Sequence, residues 1–166
     1  MKKNNLGYTL VEIMVVVAST GLIMTSVIGI ILGSFKAQNR NASNKRVTEN
    51  GSYIINELRK NVFNSQGNEI SCSEDKLSVE LKNMLNGGIT TLSCNQLTNK
   101  IASTSATKEN VLNTNDVTLS TCTDFVLCEK DTNGSVSGIV FNFGLGAVTS
   151  GVGASQTFNT RVTLRN

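Results

Sequence analysis

The hydrophobic positions of this 166-residue chain are concentrated near its start. No residue from Ile13 to Phe35 is charged, and at about 1.5 Å per helical residue this run can cross a hydrocarbon core of about 30 Å. A secretory signal has a shorter apolar region, followed by a small-residue cleavage site. The pattern therefore predicts one membrane-spanning helix over 8–35, preceded by a short polar leader over 1–7.

A second helical pattern follows the apolar run. Segment 36–46 has no large apolar residue, which indicates a solvated helix or linker, with contact between its cations and anionic headgroups as the alternative. Apolar residues then recur at helical spacing along one face, at Val47, Ile54, Ile55, Leu58 and Val62. Because the chain contains no proline, the pattern predicts one continuous helix, amphipathic over 36–67 and ending near Gly67.

The remainder, 68–166, has the pattern of short strands. Leu77, Val79 and Leu81 alternate with polar residues, and Asn86-Gly87-Gly88 predicts a hairpin turn before a strand over 89–97. Further strands are predicted over 117–120, 124–128, 136–143 and 158–164, with loops over 101–115 and 144–155. The predicted fold class is α+β, with a long N-terminal helix packed on a mostly antiparallel sheet.

The amino-acid composition excludes several classes of function. The chain has no His, which removes imidazole catalysis and nearly all His-ligated metal sites. Its net charge of +3 comes without a dense basic tract, and 5% aromatic content gives no reason to expect a nucleic-acid partner. The glycine-rich segment 144–151 lacks the lysine of a phosphate-binding loop. No acid, base and nucleophile converge in the sequence, so we expect neither an enzyme nor a cofactor.

Four cysteines, an even number, follow the apolar span: Cys72, Cys94, Cys122 and Cys128. In an exported domain this pattern favours disulfides, whereas a four-thiolate zinc site usually has two close pairs. Three pairings are possible. The short loop between Cys122 and Cys128, and the predicted first hairpin, favour pairing Cys122 with Cys128 and Cys72 with Cys94.

Residues 129–134 match the first half of a calcium-binding loop, with oxygen ligands at alternate positions before a glycine. The twelfth position is Val140, where such a loop needs a bidentate glutamate. A hairpin turn at Thr132-Asn133-Gly134 is therefore favoured, and no metal is predicted.

The start of the chain carries the most specific motif. A basic leader ends at Gly7, Tyr8 opens the apolar helix, and Glu12 is the single acidic residue within it. This combination resembles the type IV pilins and the pseudopilins of type II secretion. Tyr8 stands where phenylalanine is usual in that family, and Gly29 stands where many major pilins have proline.

The resemblance implies that a prepilin peptidase cleaves between Gly7 and Tyr8 and that the new amine of Tyr8 is methylated. It also implies that Glu12 accepts the amine of a neighbouring subunit during filament assembly. The alternative for Glu12 is that it marks the membrane interface and is hydrated by headgroups. The implied partners are other pilin or pseudopilin subunits, the inner-membrane assembly platform and, before assembly, membrane lipid.

The same resemblance implies a single-pass inner-membrane protein whose C-terminal domain lies in the periplasm before it enters a filament. The positive-inside rule, applied to the cations on the two sides of the span, favours the opposite orientation. Two leader lysines precede the span, and four cations follow it: Lys36, Arg40, Lys45 and Arg46.

The end of the chain, 158–166, and helix segment 53–60 are similar to minor pilins of the PilW kind and to J-type minor pseudopilins. These similarities imply a minor subunit that joins a filament or primes its assembly. A major structural pilin is one alternative. A membrane-tethered periplasmic binding module that never assembles is the other.

Overall fold

A computed structural model describes residues 9–84, 87–106, 108–147 and 153–164, with only the backbone described at 66–68. Within these ranges one helix precedes nine strands, which confirms the predicted α+β class. Helix α1 spans Leu10–Phe63. The strands are β1 (Ser65–Cys72), β2 (Ser78–Asn83), β3 (Ile89–Asn95), β4 (Lys100–Ser105), β5 (Lys108–Val111), β6 (Val117–Thr121), β7 (Val126–Lys130), β8 (Val136–Ala147) and β9 (Ser155–Thr163).

The chain divides into two compact units, one ending at Asn39 and one beginning at Arg40. In the first unit, α1 is long and apolar enough to cross a membrane, and its large side chains are exposed. Its hydroxyls bond to its own carbonyls, as in the 2.7 Å bond from Thr20 Oγ1 to the oxygen of Val16. Such bonds satisfy the hydroxyl donors without water, which suits an apolar surrounding.

In the second unit, the amphipathic part of α1 packs on strands through the predicted face. Val47, Ile54, Leu58 and Val62 are all buried. The predicted helix end at Gly67 is wrong, because α1 ends at Phe63 and β1 begins at Ser65. The Ser65 hydroxyl donates a 2.7 Å hydrogen bond to the Val62 carbonyl, which satisfies one of the free acceptors at the helix end.

The strands form two antiparallel sheets. The first has the order β1-β2-β3-β4-β5. In the second, β8 is central, and it pairs with β9, β7 and β6. Three phenylalanines of this sheet region, Phe125, Phe141 and Phe143, are fully buried. The ring centroids of Phe141 and Phe143 lie 5.6 and 6.4 Å from that of Phe125.

The predicted loop over 101–115 is wrong, since most of β4 and all of β5 lie within it. Ile101 and Ala102 are buried, while the threonines and serines around them occupy a pleated surface that tolerates β-branched polar residues. The predicted loop over 144–155 is also too long, because β8 continues to Ala147. A side chain at Gly144 would collide with Ser120 and Thr121, so this glycine allows β6 to pair there.

Gly51 lets the helix approach the second sheet. A Cβ atom at Gly51 would overlap the ring of Phe158, which is itself stacked on Phe143 at 5.3 Å. We expect Gly51→Val to lower the free energy of unfolding by about 1 to 3 kcal/mol, because the confined ring must move. Denaturant unfolding should show this loss and its partial recovery in the Gly51→Val/Phe158→Ala double variant. The exposed neighbour Ser52→Val serves as the control; equal losses at both sites would contradict the proposed overlap.

Candidate functional site

Glu12 lies in the first turn of α1. Its N–H group bonds to the carbonyl oxygen of Thr9 at 3.1 Å, with the Thr9 hydroxyl oxygen at 3.3 Å. Threonine is a favourable helix N-cap, and an acidic side chain in the first turn complements the helix dipole. Glu12 is the only acidic residue between Thr9 and Thr48. The local sequence therefore places one carboxylate at the start of a helix that has no other charge before Lys36.

The surroundings of Glu12 determine what its carboxylate can do. Neighbours such as Val11, Ile13 and Val16 are large, apolar and exposed. A carboxylate within an apolar span is unfavourable unless it is paired with a positive group. Glu12 can therefore accept a cation or an amine supplied from outside this chain. Gly7 and Tyr8, the predicted cleavage and methylation positions, lie outside the described residues.

The four cysteines form disulfides, but the predicted pairing is wrong. Cys72 is joined to Cys128 and Cys94 to Cys122, with Cα separations of 6.5 and 6.0 Å. Both distances lie within the range of ordinary disulfides. Each bond links the first sheet region to the second.

The strand order explains why the predicted pairs do not form. Cys72 in β1 and Cys94 in β3 are separated by β2, and two strand spacings amount to about 9.5 Å, beyond disulfide reach. Cys128 pairs with Ile139 of β8, whereas Thr121, the neighbour of Cys122, pairs with Gly144. That offset along β8 corresponds to about 17 Å.

Backbone and ionic contacts reinforce the same junction between sheets. The Val126 N–H group donates to the Lys76 carbonyl at 2.9 Å, and Lys76 Nζ lies 2.9 Å from Asp124 Oδ1. The Ser73 hydroxyl and the Leu77 N–H group hold the pKa of the Asp75 carboxyl below its usual value. Exposed ion pairs contribute little, so the two disulfides and the shared hydrophobic core hold the sheets together.

The predicted turn between β7 and β8 is confirmed. Asp131 Oδ1 accepts hydrogen bonds from the N–H groups of Asn133 and Ser135 at 2.9 and 3.0 Å, and Gly134 has a positive φ of 82°. Glu129 pairs with Arg161. Both carboxylates are therefore engaged by protein groups, and the described part of the chain holds no group of three acidic or cysteine side chains placed to bind a metal.

A feature that the sequence pattern did not predict is an open cavity of about 520 Å³ beside α1. Its helix side consists of residues separated by three or four positions, which share one face, while its other side comes from the loop between β5 and β6. The lining residues are Arg46, Glu49, Asn50, Tyr53, Thr114 and Asp116. The two sides are distant in sequence, so no local motif indicates the cavity.

This chain matches no protein-family model, no curated protein and no solved structure. What its own residues establish is an N-terminal helix long and apolar enough for single-pass membrane anchoring and a β-rich unit with two disulfides.

Proposed function

We propose that this chain is a minor pilin or pseudopilin subunit, which joins or primes a type IV pilus or a type II secretion pseudopilus through its N-terminal helix. The observation that carries the proposal is the lone Glu12 carboxylate, four residues after Tyr8, at the start of an exposed helical stretch that has no other charge before Lys36. In this proposal the chain acts by self-assembly, and Glu12 pairs with the N-terminal amine of a neighbouring subunit.

The free energy of moving the helix from the bilayer into a filament supports this pairing role for Glu12. A charged side chain costs up to about 2.5 to 3.5 kcal/mol at the centre of a bilayer and less near its surface. An amine and a carboxylate that pair in the filament offset part of the cost that either charge would have alone in an apolar core. Pairing between subunits therefore favours the filament over the isolated membrane helix.

The disulfides of the second unit support the proposal that its β-rich part is exported. Two disulfides join its sheets, and disulfides persist in oxidising compartments such as the periplasm. Only one face of α1 is buried in this unit, so other positions of the helix, such as Phe63, remain exposed for neighbours. The proposal thus assigns the first part of α1 to membrane and filament and the β-rich part to the periplasmic side.

Processing provides the first test of this proposal. We expect coexpression with a prepilin peptidase to shorten the chain to an N-terminus at Tyr8, as measured by intact-mass spectrometry. Gly7→Leu should abolish most of this cleavage, because a large side chain obstructs the extended backbone that the peptidase must hold. Gly21→Leu, which adds the same side chain at an uncrowded helix position, is the matched control and should be processed normally.

Three results would count against the proposal. Recovery of only the full-length wild-type chain, beginning at Met1 or Lys2, would favour a membrane-tethered module. Equal processing of Gly7→Leu and wild-type protein would show that the junction is not the peptidase site. High abundance of the processed chain in purified filaments would instead favour a major structural pilin.

A further inference from the structure

The cavity beside α1 is formed by two firmly held walls. On the helix side, Val47 and Ile54 are buried in the core, and Gly51 lies against Phe158, so the intervening positions are fixed in orientation. Arg46, Asn50 and Tyr53 project from this anchored segment to line the cavity. The helix wall is therefore set by core packing and not by the cavity residues themselves.

The loop wall is held by Asn113, which is itself buried. Its Oδ1 accepts the Ile101 N–H group at 2.8 Å, and its Nδ2 donates to the Asn99 carbonyl at 2.9 Å. The turn closes with a 3.1 Å bond from the Val117 N–H group to the Thr114 carbonyl. The positions of Thr114 and Asp116 thus follow from a hydrogen-bonded loop, and the cavity is largely preformed.

Asn50 supplies the clearest sign that this cavity takes a ligand. Only 7% of the residue is exposed, and its Oδ1 atom has no hydrogen-bond partner among the described residues. An unpaired buried acceptor is costly and uncommon in folded proteins. Asn50 lines the cavity, and because the terminal torsion of asparagine is broad, rotation of its amide is the movement that lets this oxygen meet a donor there.

The lining chemistry restricts which ligand fits. An anion would meet the Glu49 and Asp116 carboxylates, and a cation would meet the Arg46 guanidinium and the Lys45 ammonium, which lies 3.7 Å from Glu49. A hydrocarbon would leave the Asn50 oxygen unpaired and would desolvate three charged groups. The ligand therefore needs several hydrogen-bond donors and acceptors without a net charge.

We propose that this cavity binds a small neutral saccharide. Sugar hydroxyls donate to Asn50, Glu49 and Asp116 and accept from Arg46. The apolar C–H face of a sugar ring covers Tyr53, whose side chain is 47% exposed and combines an aromatic face with a polar end. At about 520 Å³ the cavity falls within the range of small-molecule sites. This inference does not depend on filament assembly.

The test uses the full chain in phosphocholine micelles, because glycoside detergents would compete. The probes are glucose, galactose, mannose and N-acetylglucosamine, with their β1,4-linked disaccharides, followed by saturation-transfer and amide-shift NMR. At least one probe should shift the signals of Asn50 and Tyr53. Asn50→Leu should weaken that binding by about tenfold or more, equivalent to at least about 1.4 kcal/mol, without lowering the unfolding temperature.

Matched variants distinguish a loss of saccharide binding from a loss of folding. Asn56→Leu makes the same change at an exposed helix position away from the cavity and should bind normally. Tyr53→Ala should weaken binding, and Tyr53→Phe should retain most of it, because the aromatic face is kept. The proposal is overturned if no saccharide in the panel shifts these signals, or if binding survives Asn50→Leu unchanged.

Discussion

Replacing Glu12 by leucine is expected to reduce incorporation of the chain into filaments by about two to three orders of magnitude, while membrane insertion stays intact or improves. The variant leaves the neighbour's amine without a counter-charge in an apolar core, and an unpaired buried charge costs about 3 to 5 kcal/mol. Since 1.4 kcal/mol corresponds to about tenfold in an equilibrium constant, the incorporation equilibrium falls accordingly.

The measurement is made in a strain that lacks the wild-type copy. Surface filaments or secreted substrate are counted, and the variant is quantified in membranes and in sheared filaments after its processing has been confirmed. Glu12→Asp keeps the charge and should retain most of the assembly. Normal filament number and normal recovery of Glu12→Leu in filaments would show that Glu12 only marks the membrane interface.

Removing either inter-sheet disulfide should produce the largest loss of stability in the β-rich unit. The Cys72–Cys128 and Cys94–Cys122 bonds join residues 56 and 28 positions apart. Loop-closure entropy gives about 4 kcal/mol for each bond, and removing a native disulfide from a small exported domain typically costs about 2 to 5 kcal/mol. Thermal unfolding of Cys72→Ser/Cys128→Ser and of Cys94→Ser/Cys122→Ser should show such losses.

A reductant provides the control for these variants. It should destabilise the wild-type protein by at least as much as either double substitution, and it should leave the variant lacking all four cysteines unchanged. Peptide mapping of unreduced protein should recover Cys72 linked to Cys128 and Cys94 linked to Cys122. Linkage of Cys72 to Cys94, or of Cys122 to Cys128, would contradict the strand order described here.

Local patterns predicted the parts of the fold whose hydrophobic residues are regularly spaced. The helix and its buried face at Ile54, Leu58 and Val62 follow from helical periodicity, and the β2–β3 hairpin follows from alternation before Gly87. Strand β1 was missed because residues 65–72 contain only one large aliphatic side chain, Ile70. It forms because its backbone pairs with β2, which depends on tertiary structure.

Local sequence patterns also fail to predict strands β4 and β5. Only Ile101 and Ala102 of β4 are buried, and all four residues of β5 are exposed, so a period-two pattern is absent. The serines and threonine of β4 are common in loops, but β4 pairs with β3 and β5 pairs with β4, and this pairing stabilises both as strands. Propensity alone therefore favours the wrong local structure at these positions.

The candidate sites also divide into those that a local sequence pattern predicts and those that only the folded chain forms. Glu12 was predicted because its offset from Gly7 and its apolar neighbours are local in sequence. The disulfide pairing depends on which strands are adjacent, so cysteine spacing alone favoured the wrong pairs. The cavity joins Asn50 and Tyr53 to Asp116 across a long sequence separation, and only the folded chain brings them together.

The most direct test of the proposed function is N-terminal mass spectrometry of this chain recovered from sheared filaments of its native cell. We expect the chain to be present and to begin at a methylated Tyr8, because processing and assembly both act on that terminus. Finding the chain only in membranes, with its leader still attached from Met1 or Lys2, would contradict the proposal that it is a filament subunit.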